Sequence, residues 1–259
     1  ALTTFEHRER EKSFRSENGF ACAPFLIANG VHSFKAGIAE LETDVIVKTA
    51  EFGYDGKGQL KLSGDSKDSI LEEAWLKFDG GRVVIEECIS LDVELSVIVV
   101  RNAMGEVVCY DPVENIHRNH ILDISIVPAR IPEEILQQAE TVALAIADAF
   151  QYVGSLAVEF FLSSDGRLIV NEIAPRPHNS GHHTINAGSC AQFENQIRAI
   201  MGLPLGSTDL LSPVVMMNLL GDVWPDARTT PDWSNILSMS GTSLHVYGKR
   251  ETRIGRKMG

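Results

Sequence analysis

The chain has 259 residues, 44% of them hydrophobic and 22% charged, and a formal net charge of −12. That length buries a real core in one large domain or two modest ones. The acidity excludes a general affinity for nucleic acid or anionic membrane surfaces, although a local basic pocket is compatible with it.

The longest apolar runs, such as 156–162, carry a charge or are far too short to cross a bilayer. The N-terminus is dense in Glu and Arg, unlike a signal peptide. Cys22, Cys88, Cys109 and Cys190 are dispersed and form no C-x-x-C pair. They read as reduced thiols of a cytoplasmic protein, without zinc-site spacing. A Cys190 nucleophile served by His182 or His183 has no activating context.

In chain order, residues 6–17 predict a charged helix, 24–28 a short strand and 44–48 (DVIVK) a β-branched strand ending in a lysine. Residues 51–59 (EFGYDGKGQ), with Gly53, Gly56 and Gly58, form a loop of unusual backbone freedom. Residues 66–77 have helical spacing. Segments 83–86, 93–101 and 107–110 predict strands of an antiparallel sheet. The clearest helix is 132–150, where Ile135, Leu136, Ala139, Val142, Ala143, Ile146 and Phe150 recur at three and four residues behind Pro132. Segments 155–162 and 167–173 read as a hairpin, and 175–188 as a polar loop. A helix over 191–201 ends at Gly202 and Pro204. Late strands are expected at 214–220 and 243–247. The irregular mixture predicts α+β rather than a doubly wound sheet.

The hairpin LAVEFFLSSDGRLIVNEIAP carries the most informative chemistry. With Asp165-Gly166 at the centre of a tight turn, positions summing to 331 face each other, and Glu159 falls opposite Glu172; with a four-residue loop the two are diagonal but still on one face. Like charges so placed repel. A divalent cation resolves the repulsion, and Mg²⁺ accepts a few carboxylates while leaving room for phosphate and water. Asn171 would add a neutral oxygen if the backbone bends there, since strict alternation points it away. Two other readings stay open: a solvated strand face, and a glycosidase carboxyl pair, against which the cationic loops nearby argue.

Lys48 runs straight into the glycine-rich loop. The loop matches neither a P-loop nor a dinucleotide fingerprint. Alone it reads as a surface hairpin; with Lys48 and the paired glutamates it reads as a lid over a polyphosphate. The loop PRPHNSGHHT gathers Arg176, His178, Asn179, Ser180, His182 and His183. Anion and substrate contacts are the preferred reading there over a metal site, with a structural hydrogen bond for His183. The terminal KRETRIGRK holds Lys249, Arg250, Arg253, Arg256 and Lys257, read either as a phosphate pocket or as a solvated basic tail.

Together these segments resemble the N5-carboxyaminoimidazole ribonucleotide synthetases. The most specific string is VNEIAPRPHNSGHHTINAGSCAQFENQIRAIMGLPLG, supported by REREKSF, FGYDGKGQ, PVENIHRN and GRKMG. The resemblance runs through essentially the whole chain. It implies an α+β ATP-grasp fold whose two lobes hold ATP between them. The parts would be a small lobe at 1–90, a large lobe at 91–205 and a C-terminal β-rich portion at 206–259. It implies ATP ligands at Arg8, Lys48, the loop residues Gly53, Tyr54, Gly56, Gly58 and Gln59, a hinge at Glu86, Glu87, Cys88 and Ile89, and contacts from Glu94 and His117. Glu159 and Glu172 match the Mg²⁺ ligands, with Asn171 alongside. One or two Mg²⁺ ions, or Mn²⁺ in their place, would fit.

The resemblance further implies substrate and catalytic roles for Tyr54, Asp55, Lys57, Arg176, His178, Asn179, Ser180, Lys249, Arg256 and Lys257. The implied reaction is a carbon–nitrogen ligation in purine biosynthesis. Bicarbonate and ATP give carboxyphosphate, and the amine of 5-aminoimidazole ribonucleotide captures the carboxyl group. A cytoplasmic homodimer without nucleic-acid or membrane partners is expected. The family also carries an N-terminal glycine-rich domain and a final stretch after GRKMG, so a fragment or a truncated chain is expected here. Two rivals remain: another ATP-grasp ligase, and a nucleotide-binding fragment without turnover.

Overall fold

The computed structural model describes residues 7–50, 58–226 and 229–259. Helix α1 (Arg8–Glu17) precedes a four-stranded antiparallel sheet. Its strands β1 (Phe25–Ala28), β2 (Val45–Thr49), β3 (Gln59–Leu62) and β4 (Val83–Glu87) lie in the order β1-β4-β2-β3. Helices α2 (Val31–Leu41) and α3 (Asp68–Leu76) cover one face. Side chains alternate across a strand. On β2, Val45 and Val47 therefore join Phe34, Ile38, Leu71, Trp75 and Ile85 in the core, and Ile46 and Lys48 point the other way.

The second sheet has seven strands. They are β5 (Leu91–Arg101), β6 (Val107–Cys109), β7 (Val113–Arg118), β8 (Ile121–Val127), β9 (Gly154–Ser163), β10 (Leu168–Ala174) and β11 (Val214–Met217). The order is β10-β9-β5-β7-β8-β11, with β6 beside β5. Helix α4 (Glu133–Phe150) lays Ala139, Ala143, Ile146 and Ala147 on Leu95, Val97, Val99, Leu156, Val158 and Phe160. Three alanines on that stripe let the helix approach closely. Helix α5 (Gln192–Ile200) covers part of the opposite face through Ala199, against Ile98, Val100 and Ala157. Val97–Val100 is thus buried on both faces, which explains why it reads as a continuous apolar run.

Several expectations are corrected. Strand 83–86 belongs with β1–β3, not in one sheet with 93–101 and 107–110. The polar loop at 175–188 contains a 3₁₀ turn at Asn179–Gly181 and a helical turn at Thr184–Ala187. Segment 243–247 forms no strand; Tyr247 N–H donates to the Met258 carbonyl, and Met258 N–H to the Leu219 carbonyl. Most of the predicted lid, residues 51–57 with Gly53, Tyr54, Asp55, Gly56 and Lys57, lies outside the described residues.

Ile146 is fully buried, on the face of the large sheet opposite the glutamate pair. Ile146→Ala is expected to cost about 2–5 kcal/mol in urea denaturation. Nucleotide affinity of the remaining folded protein should stay within about twofold of the parent, since distant sites act independently.

Candidate active site

A cleft of about 520 Å³ opens between the two sheets. Its walls include Arg8, Lys12, Lys48, Gln59, Glu86, Glu87, Ile89, Glu94, His117, Glu159, Asn171, Glu172, Arg176, His178, Asn179 and Lys257. Residues scattered over nearly the whole chain therefore meet in one place. A second hollow, of about 600 Å³, lies between Glu194, Ile197, Arg198, Leu203 and Pro204. It is chemically plain, since Arg198 is tied to Glu194 at 2.6 Å.

The acidic pair sits where β9 meets β10. Glu172 pairs directly with Glu159, as expected, but by a different route. The turn holds three residues rather than two: Ser163 N–H donates to Arg167 O, and Gly166 has φ +85°. Near the turn, pairs such as Leu168–Leu162 and Val170–Phe160 follow a register one residue off that of a two-residue turn. An irregularity between Val170 and Glu172 then restores the register. That is the bend Asn171 needs in order to line the cleft with its neighbour.

Burial and the facing Glu159 raise the Glu172 carboxyl above the ordinary carboxylate range. Burial acts on Glu159 in the same sense, but the hydrogen bond and charge of His178 pull it below that range, helped by His117 and Arg176. His178 Nε2 lies 3.0 Å from Glu159 Oε1. Behind it runs a buried chain: His178 Nδ1 to Ser180 Oγ at 2.8 Å, Ser180 to Ser96 at 2.7 Å, and Asn115 Nδ2 donating to Ser96 Oγ at 2.8 Å. Ser180 is therefore fully buried and orients His178 rather than lining the cleft. Two carboxylates in opposition, with an amide beside them, suit a hard divalent cation that keeps oxygen ligands.

Across the cleft, Lys48 and Lys12 hold Glu86 Oε2 at 3.0 and 3.2 Å. Burial pushes Lys12 down to about 8. Burial would raise Glu86, yet the two lysines overcome it and bring the carboxyl down to about 2. Residues 88–90 follow directly, joining β4 to β5; Cys88 N–H donates to Asp44 O, and the Cys88 side chain is not in the cleft. On the far wall His117 Nδ1 lies 2.8 Å from Glu94 Oε2. Burial would lower His117, but the hydrogen bond and charge of Glu94 prevail and raise it.

The C-terminal cluster divides. Lys257 reaches the cleft, and Lys249 Nζ donates to the Lys257 carbonyl at 2.5 Å. Arg256 turns to Glu251, donating to its carbonyl at 2.9 Å. In the HNSGHH segment, Asn179 faces the cleft with a buried Oδ1 that has no partner, while Asn179 Nδ2 donates to Asn218. His183 makes the expected structural bond, Nδ1 to Ser180 O at 2.8 Å. Two polar wall residues escaped the sequence reading. Lys12 had a signal, the spacing Arg8, Lys12, Arg15 along one helical face. His120 had none, because it sits in a turn without glycine.

Residues 13–193 match the ATP-grasp domain, and residues 214–259 match the phosphoribosylaminoimidazole carboxylase C-terminal domain. The N5-carboxyaminoimidazole ribonucleotide synthase of Bacillus subtilis is 44% identical, across 100% of this chain and 66% of its own length. That of Brucella melitensis is 40% identical, across 100% of this chain and 70% of its own. The chain belongs to the N5-carboxyaminoimidazole ribonucleotide synthase family, within the ATP-grasp fold. A crystal structure of an N5-carboxyaminoimidazole ribonucleotide synthetase with ADP matches with TM-score 0.90 and 41% identity, across 100% of this chain and 66% of that one. This chain spans about two thirds of the length of these synthases. No described helix is long and apolar enough to cross a membrane.

The Glu86 cluster has a pH consequence. A carboxyl depressed from about 4.5 to about 2 contributes stability that is present above the higher value and lost as pH falls through the lower one. The parent should therefore exceed Glu86→Gln in Tm at pH 6–7, with the gap closing between about pH 4.5 and 2. A gap that is constant with pH would contradict the depressed carboxyl.

Proposed function

We propose that the full protein carboxylates 5-aminoimidazole ribonucleotide with ATP and bicarbonate, and that the cleft between the two sheets is where it does so. The observation that carries this is the direct opposition of Glu159 and Glu172 on one wall, facing the lysine pair on the other. The anionic wall suits a metal ion and the cationic wall a triphosphate, which supports this reading. Family membership supplies the choice of substrate.

In this reading Lys48, with Arg8, binds the ATP phosphates, and residues 87–89 border the adenine. Glu94 and His117 lie at the ribose. Glu159 and Glu172 hold Mg²⁺, with Asn171 alongside; when bound, the ion would neutralise charge on the transferring phosphoryl group. Bicarbonate oxygen attacks the γ-phosphorus as the bond to ADP breaks, giving carboxyphosphate. Loss of phosphate delivers CO₂ to the exocyclic amine, which forms the carbon–nitrogen bond and releases a proton. Arg176 and His178 border the space where that anion forms, and cationic donors there stabilise developing charge. The unpartnered Asn179 Oδ1 is suited to accept a hydrogen bond from the substrate amine. Lys257 would take the ribonucleotide phosphate with Lys249 beside it; a place there for Arg256 requires it to release Glu251.

We further propose the division at 90 and 205, the first boundary falling in the link between the sheets, and a homodimer as the assembled form. Ligand-dependent closure would come from the 51–59 segment, with Tyr54, Asp55 and Lys57 over the substrate.

The test is ADP release that depends on both bicarbonate and 5-aminoimidazole ribonucleotide. Glu172→Gln should lower kcat at least about a hundredfold and raise the Mg²⁺ requirement, because a metal-stabilised phosphoryl transfer loses an anionic ligand. Turnover by the parent that ignores aminoimidazole ribonucleotide would assign the cleft to another ligase reaction. Nucleotide binding with no turnover by the full-length protein would leave a binding module.

A further inference from the structure

Strand β10 is the edge of the large sheet, and an edge strand presents unpaired N–H and C=O groups. Here that edge is not left to water. Arg15 Nη1 donates to Val170 O at 2.6 Å and to Asn171 O at 2.8 Å. Glu11 Oε1 accepts the Ile173 N–H at 2.9 Å and lies 3.4 Å from Arg15 Nη2. Val170 N–H donates to Ala21 O at 2.8 Å. The backbone on both sides of Glu172 is therefore tied to α1 and the segment after it.

The position of these bonds matters more than their number. The register irregularity of β10 lies between Val170 and Glu172, and Arg15 grips the two carbonyls just before Glu172. Without the irregularity, strict alternation would send either Asn171 or Glu172 out of the cleft. Arg15 is 1% exposed and Glu11 4%. Burying such a pair costs desolvation that a hydrocarbon contact would avoid. A pair retained there and aimed at backbone is what an outer support for a metal ligand requires.

We propose that Arg15 and Glu11 are positioning residues for Glu172: by clasping β10 they hold the irregularity that sets Glu172 against Glu159. The inference rests on the Mg²⁺ reading of that pair. Docking of α1 thereby becomes part of building the metal site, and the same helix carries Lys12 to the cationic wall. Neither residue lines the cleft.

The test uses the full-length protein with Arg15→Met, which keeps length and removes the fork, and Arg15→Lys, which keeps charge but has no planar fork for two carbonyls. The reading is the Mg²⁺ concentration giving half-maximal binding of a non-hydrolysable ATP analogue, taken with the Tm of each variant. Arg15→Met should raise that concentration about ten- to a hundredfold, and Arg15→Lys should fall between it and the parent. A purely structural role would lower Tm and leave the Mg²⁺ requirement of the folded protein at the parent value, which overturns the proposal. If Arg15→Met does not fold, Arg15→Lys decides by the same criterion. Glu172→Gln serves as the control. A Mg²⁺ requirement shared by the parent and Glu172→Gln removes the metal reading itself, and the proposal with it.

Discussion

Two carboxylates face each other across a strand pair on one wall of a cleft, and much of the surrounding structure answers to that opposition. Left alone, the arrangement is unfavourable, since burial and mutual repulsion both disfavour ionisation. The protein sets the two glutamates apart electrically. His178 and its buried serine chain favour the charged form of Glu159, while Glu172 is raised. A cation between them would remove the asymmetry and favour both as anions.

The facing wall solves the converse problem. Lys12 and Lys48 converge on the single carboxylate of Glu86. Each cation is thereby kept in place at the edge of the cleft. Glu86 limits their mutual repulsion, and its partnerless Oε1 is buried. The two walls belong to different sheets, joined through residues 88–90 and spanned by α1. The charge separation across the cleft is thus built into the topology, and hinge motion between the sheets would change the distance between its halves.

Much of this was legible in the residues, and the exceptions have physical causes. Helix 133–150 was plain because its apolar stripe faces a sheet over its whole length. The acidic pair was placed correctly although the turn was not. A two-residue Asp-Gly turn predicts the 331 register throughout. The true turn has three residues and gives a different register near its base, and the irregularity at Asn171 cancels the error. Nothing local to the hairpin signals that irregularity; its partners lie some 155 residues earlier. The β7–β8 hairpin went unread for another reason. Its turn, Asn119-His120, has φ of +50° and +62°, a conformation usually marked by Asn-Gly. Helix α2 escaped because Phe34 and Ile38 alone carry its buried stripe, with Gly37 packed close to Ile85. Arg256 closes the turn at 253–256, its N–H donating to Arg253 O, so its guanidinium rests on Glu251 while the neighbouring Lys257 lines the cleft, a parting that sequence adjacency does not show.

In the proposed function the Glu159–Glu172 opposition serves to hold a divalent cation beside a nucleotide. Anomalous diffraction from crystals grown with Mn²⁺ and a non-hydrolysable ATP analogue tests it directly. A manganese peak is expected within bonding distance of carboxylate oxygens from both glutamates and of a phosphate oxygen. A nucleotide bound in the cleft with no manganese between the two glutamates, or with the ion held elsewhere, would contradict it.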